Sequence, residues 1–115
     1  MPLFRLLLIT IIATVGVYTA ITISRHGLGL LPIFFGDIAK IGWPGQFNMD
    51  FLSFLILGSV WLAWRHQFSP LGLFFGFLVF AGGAPFLCTY LLIASFRAYG
   101  DVKILLLGEK RALIS

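Results

Sequence analysis

Charge is what this chain has least of. Four acids and eight Lys or Arg make up 10% of its 115 residues, where a soluble domain carries about 25%. With 60% hydrophobic residues and a mean hydropathy of +1.05, there is too little polar surface to clothe a water-facing globule, so lipid has to act as solvent for much of the chain. Cysteine is nearly absent. Cys88 alone excludes an internal disulfide, and with no His or acid near it in sequence it has nothing to activate it as a nucleophile. Clustered basic residues are also missing. The net charge is +4, but the cations are scattered, which excludes a nucleic-acid surface and leaves topology and anionic lipid as what they report. No Ser–His–Asp set, metal-ligand spacing or phosphate loop is present. Gly82 and Gly83 sit inside an apolar run and not after a strand, so they form no dinucleotide loop. A non-catalytic protein without a cofactor is expected.

What is present is a set of long apolar runs. Residues 47–66 read FNMDFLSFLILGSVWLAWRH, with no charge between Asp50 and Arg65. Twenty helical residues span about 30 Å, the thickness of a bilayer's hydrocarbon core. Asn48 suits an N-cap and Asp50 a first turn, where the helix dipole favours a carboxylate. Trp61 and Trp64 suit the opposite interface. Residues 3–24 form an earlier run, too long for the apolar core of a signal peptide and so expected to stay as a span. Residues 71–96 form a third, longer than a perpendicular crossing needs. Gly82-Gly83-Ala84-Pro85 predicts a kink within it, since Pro85 cannot donate to the carbonyl of Ala81 and crowds it. The expected fold is all-α, a single integral membrane domain over 1–115 with three transmembrane helices. A short interfacial helix over 31–41 is expected between the first and second spans, with its Phe side in the acyl chains. The tail, 99–115, is expected to add a surface turn or two.

Candidate working residues are few. Thr10, Thr14, Tyr18 and Thr22 recur every fourth residue along the first span. Small and hydroxylated residues commonly face other helices in lipid, and the hydroxyls can bond back to their own helix. Gly72 and Gly76 form a small-xxx-small pair for close helix approach, and Gly83 and Pro85 belong to the kink. Asp50, near the interface at the start of its span, is expected to bond free helix N–H groups or to pair with Arg25 or Lys40, and is alternatively a candidate for handling a proton or cation. His26 and His66 are weak candidates for ligating a haem or pigment. They close different spans at opposite membrane faces, about 30 Å apart, so they cannot share one. Charge sorting sets Arg5 and Arg65 on one side. Arg25, Lys40, Arg97, Lys103, Lys110 and Arg111 fall on the other, which is then expected to be cytoplasmic together with the C-terminus.

The Asp50 helix start, the WLAWRHQFSP link, the HGLGLLPIFFGDI connection and the GGAPFLCTYLL break together resemble a family of small three-span bacterial inner-membrane proteins of unknown function. The resemblance implies three helices and an inner-membrane location. It carries no activity. The partners implied by all of this are the lipid bilayer and either a larger membrane complex, served as an accessory or assembly subunit through helix contacts, or further copies of the chain. A homo-oligomeric channel or transporter using Asp50, and a pigment or haem protein, are the alternatives.

Overall fold

The structure, a computed structural model, describes residues 1–114. It is all-α, with three helices long and apolar enough to cross a membrane. In chain order the helices are α1 (Pro2–His26), α2 (Leu30–Ala39), α3 (Trp43–Arg65), α4 (Pro70–Arg97), α5 (Val102–Leu107) and α6 (Glu109–Ile114). Because lipid offers no hydrogen bonds, each crossing has to satisfy its backbone internally, and long helices do so.

Helix α3 begins earlier than its composition suggests. Gly42 is its N-cap and Pro44 lies in its first turn, where the missing N–H of proline is no loss. Asn48 is therefore not the cap. It sits in the second turn and donates its side-chain N–H to the Phe34 carbonyl at 3.1 Å, holding α2 against α3. Asp50 correspondingly lies in the third turn, about 10 Å from the helix start. The short helix α2 packs on α3 where Gly45 is buried.

Helix α4 contains the decisive feature. Gly83 has φ 67° and ψ −147°, a region that essentially only glycine enters. The expected kink is here a reversal of direction. Phe75 and Tyr90 have ring centroids 5.6 Å apart, whereas fifteen residues of straight helix would separate their backbones by about 22 Å. Along α3, Gly58 faces both Val79 from before the break and Leu87 from after it. Residues 70–82 thus run antiparallel to α3, and residues 84–97 return beside them. Pro85 falls in the first turn of the returning half, where its fixed φ is pre-set for a helix. Phe51 and Leu55 of α3 cover the tip at Gly83. Each arm is about 20 Å long, roughly two-thirds of a hydrocarbon core.

Close packing of the outgoing arm on α3 depends on Gly72 and Gly76, both buried. A Cβ at Gly76 would come within 2.9 Å of the Ser59 carbonyl oxygen, and one at Gly72 within 3.1 Å of that of Ala63. At this separation the Ser59 hydroxyl donates across to the Gly76 carbonyl. The start of this arm is fixed by Ser69, whose Oγ accepts from the Gly72 N–H at 3.1 Å, the usual service of a serine cap.

The reversal corrects the expected charge sorting. Arg97 and the tail do not lie opposite Arg5 and Arg65; they lie beside them. Arg5 donates from Nε to Ser95 Oγ at 3.0 Å and from Nη2 to the Ser95 carbonyl at 3.2 Å, with its guanidinium over the Phe96 ring. Met1 and Phe4 pack on the cluster of Ala94, Ala98 and Leu105. One end of the molecule therefore gathers Arg5, Arg65, Arg97, Lys103, Lys110 and Arg111, and the other keeps Arg25 and Lys40.

Candidate functional site

The polar chemistry concentrates at that basic end, where the last turn of α3, the returning arm of α4 and the tail meet. Arg65 is its centre. Its Nε donates to the Leu105 carbonyl at 2.8 Å and its Nη2 to that of Ile104 at 3.2 Å. The Leu105 oxygen lies in the last turn of α5, where carbonyls lack a partner within the helix, and the Ile104 oxygen also accepts from the Gly108 N–H at 2.8 Å. The third donor, Nη1, reaches Tyr90 Oη at 2.7 Å. The exchange is reciprocal. Arg111 of α6 donates from Nε to the Trp64 carbonyl at 2.9 Å, at the end of α3, with its guanidinium 4.2 Å over the Trp64 ring. Trp61 donates its indole N–H to Leu106. The tail and α3 thus cap each other. The two tryptophans expected to anchor an interface also clamp the tail, which is more firmly fixed than a surface turn.

Tyr90 passes the contact on to His66, whose Nε2 is 2.5 Å from Tyr90 Oη. The phenol oxygen already accepts from Arg65, so its own proton is the one available to His66. Nε2 is then the bare nitrogen of a neutral imidazole. Burial, and secondly the Arg65 charge, lower the His66 pKa from its ordinary 6.5, which favours the neutral ring. The His66 and Phe75 rings meet edge to face at 5.3 Å.

Beside this relay lies a cleft of about 760 Å³ between the returning arm, the link and the tail. Arg65, Arg97 and Lys110 stand on its polar side with Glu109, while Leu71, Phe75, Phe86 and Ile93 form an apolar side. Arg97 and Lys110 donate no hydrogen bond to any described residue, in contrast to Arg65, each of whose three nitrogens donates.

The other candidates fall elsewhere. His26 ends α1 and is exposed. Since the first turn of α1 is at the basic end, His26 is a helix length, about 35 Å, from His66. The two do not come together, and Tyr90 already engages His66 Nε2. Asp50 is exposed and has no hydrogen-bond or ion-pair partner among the described residues, so neither Arg25 nor Lys40 pairs with it. Thr10, Thr14, Tyr18 and Thr22 are exposed; Thr10 bonds back to the Leu6 carbonyl at 2.8 Å and Thr22 to that of Tyr18 at 2.9 Å. None of the four is buried by the described residues. Cys88 is buried, and among the described residues no three His, Cys, Asp or Glu side chains gather to hold a metal.

Sequence reasoning missed Arg5 and Arg65 as structural staples, with Ser95 and Tyr90 as their respective side-chain partners. The available signal was their type: a guanidinium at a span end carries five donors in a chain with only four acids to take them, so carbonyls are the natural acceptors. Compared with known protein families, curated proteins and solved structures, the chain matches none of them.

Proposed function

We propose that this is a non-catalytic multi-pass membrane protein that serves a larger complex as an accessory or assembly subunit, through helix contacts. The observation that carries the reading is the bare second half of α1. From Gly16 to His26 every residue is exposed, because α4 turns back at Gly83 before it reaches that depth. This bare half carries Tyr18 and Thr22, and Thr14 leads into it. A hydroxyl stripe along an apolar span is better matched by another helix than by acyl chains. The strongest polar groups, Arg5, Arg65, Arg111 and Asn48, are occupied in holding the fold, which fits a scaffold better than a catalyst.

The proposed placement follows from charge. Six Lys or Arg at the basic end against two at the other favour the basic end as cytoplasmic. Both termini and the mouth of the α4 hairpin would then face the cytoplasm of a bacterial inner membrane, with α4 entering and leaving by that face. A photoreactive amino acid at Tyr18 or Thr22, activated in native membranes, tests the partner reading. A discrete adduct with another membrane protein supports it; a protein that crosslinks only to lipid at both positions counts against it.

Asp50 supports a second reading, a homo-oligomeric channel or transporter. An exposed carboxylate about two turns inside an apolar helix is costly in lipid unless another chain or water meets it. Ion flux in liposomes that Asp50→Asn abolishes would favour this reading, and flux unchanged by that substitution would remove Asp50 from it.

A further inference from the structure

We propose that the cleft at the basic end is a binding site for an anionic phospholipid, with the phosphate held by Arg97 and Lys110 and one acyl chain laid along the hairpin's apolar side. Three features of the cleft point to that occupant together.

The first is its division into two chemistries. The apolar lining comes from both arms of the hairpin, Leu71 and Phe75 on the outgoing one and Phe86 and Ile93 on the returning one, while the charged lining comes from the ends of α3 and α4 and from the start of α6. A small polar solute would leave the apolar side wet, and a hydrocarbon would leave the cations facing nothing. An amphiphile satisfies both sides.

The second is the charge balance. Arg65, Arg97 and Lys110 against Glu109 leave an excess of two positive charges around the cleft, with His66 neutral. That complements a phosphodiester or phosphomonoester headgroup and leaves a zwitterionic lipid only partly matched. Each of the three Arg65 nitrogens already donates, to Leu105, Tyr90 and Ile104, so its guanidinium is pinned to the fold and acts on the cleft mainly through its charge. Arg97 and Lys110 have no such commitments and are the groups that can touch the phosphate, Arg97 with a planar fork suited to two of its oxygens.

The third is depth. The cleft lies at the level of the span ends, with Arg97 closing the returning arm and Ser69 opening the outgoing one. Headgroups lie at that level in a bilayer, and the hairpin tip stops short of the far face. A headgroup at Arg97 can therefore send its chain alongside the arms without leaving its leaflet.

The test uses the full-length protein in detergent, titrated with phosphatidylglycerol or phosphatidylcholine and read by native mass spectrometry for retained lipid. Phosphatidylglycerol is expected to bind at least tenfold more tightly. A Lys or Arg near an anionic headgroup is worth about fivefold in affinity, so Arg97→Gln with Lys110→Gln should weaken phosphatidylglycerol roughly twentyfold and leave phosphatidylcholine unchanged. Thr89→Trp puts an indole into the cleft from the exposed side of the returning arm; it should also lose the lipid, while the thermal transition stays within a few degrees of the parent. Equal binding of the two lipids, or affinity unmoved by the paired substitution, overturns the site. Displacement of bound lipid by inorganic phosphate at matched concentration overturns the lipid assignment, since it would show that the cations alone do the binding.

Discussion

The second half of α1 and the hairpin of α4 behave as opposites. Both are apolar helical segments with hydroxyls and small residues. The hairpin buries Gly72, Gly76, Val79, Gly83 and Cys88; all of α1 buries only Leu8. The difference lies in where the small residues fall. In the hairpin they lie on the line of contact with α3, so backbones approach and carbonyls meet hydroxyls. In α1 the hydroxyls lie every four residues on a face that stays exposed among the described residues. In lipid, apolar character alone does not bring helices together, because tails are as apolar as Leu; close shape and a few polar bonds do.

The sharpest way to break this comparison is to ask whether α4 turns back. With Cys88→Ser as background, cysteines at Phe75 and Tyr90 are expected to be joined by a short bismaleimide almost completely. A straight α4 would hold them about 22 Å apart and give no product. Adding Gly83→Val should cut the yield, because a β-branched side chain at φ 67° costs on the order of 1–3 kcal/mol or more. Tags at the two chain ends, labelled in sealed vesicles, should react from the same side; labelling from opposite sides would contradict the fold-back.

Next in size is the contact line itself. Gly76→Val places carbon within 2.9 Å of the Ser59 carbonyl, with backbone on one side and no flexible tip to yield. About 2 kcal/mol of destabilisation is expected, in the range of overpacked cores, seen as a lower unfolding midpoint in detergent. A midpoint unchanged from the parent would mean that the arm is held by the tail and not by α3.

A smaller effect is expected from pH. His66 has a folded pKa below 6.5, so the unfolded chain binds its proton first as pH falls. Stability from this group is fully present above about pH 6.5 and is lost as pH drops through the lowered folded value. Protonation would also set two donors, Arg65 Nη1 and the imidazolium, against one phenol oxygen. Unfolding midpoints measured between pH 7.5 and 5 should fall, and His66→Gln should flatten that dependence. A parent protein whose midpoint rises toward acid would mean that the Tyr90 contact does not keep His66 neutral.

These effects also mark what the amino-acid order reveals. The three long apolar helices and the short α2 are legible, because uninterrupted runs of that length have few alternatives. Gly82-Gly83-Ala84-Pro85 announces a break, but how far the chain bends depends on Gly83 entering a positive-φ region and on Phe51 and Leu55 covering it, which only tertiary packing decides. The start of α3 is misplaced by five residues, since Trp43-Pro44-Gly45 has the composition of a turn while Pro44 is equally at home in a first helical turn. The basic end is hidden for a different reason. Arg5 and Arg65 look the same in sequence whether they face headgroups or carbonyls, and only the reversal of α4 brings Ser95, Tyr90 and the α5 carbonyls within their reach.

The smallest expected effect bears on the bare half of α1. Thr14→Val or Thr22→Val changes an exposed side chain that no other helix of the chain touches, and in the purified protein it should move stability by less than about 0.5 kcal/mol. The same substitutions should act on another scale in native membranes if this face receives a partner helix: each removes a hydroxyl that can turn from its own helix to a neighbour, a bond worth about 0.6 kcal/mol and up to about 1.7 in lipid. The two together would then reduce co-purification severalfold while the isolated chain stays as stable as before. Should the purified protein instead lose stability as Gly76→Val does, the face would be packed within the chain after all, and the contrast between α1 and the hairpin would disappear.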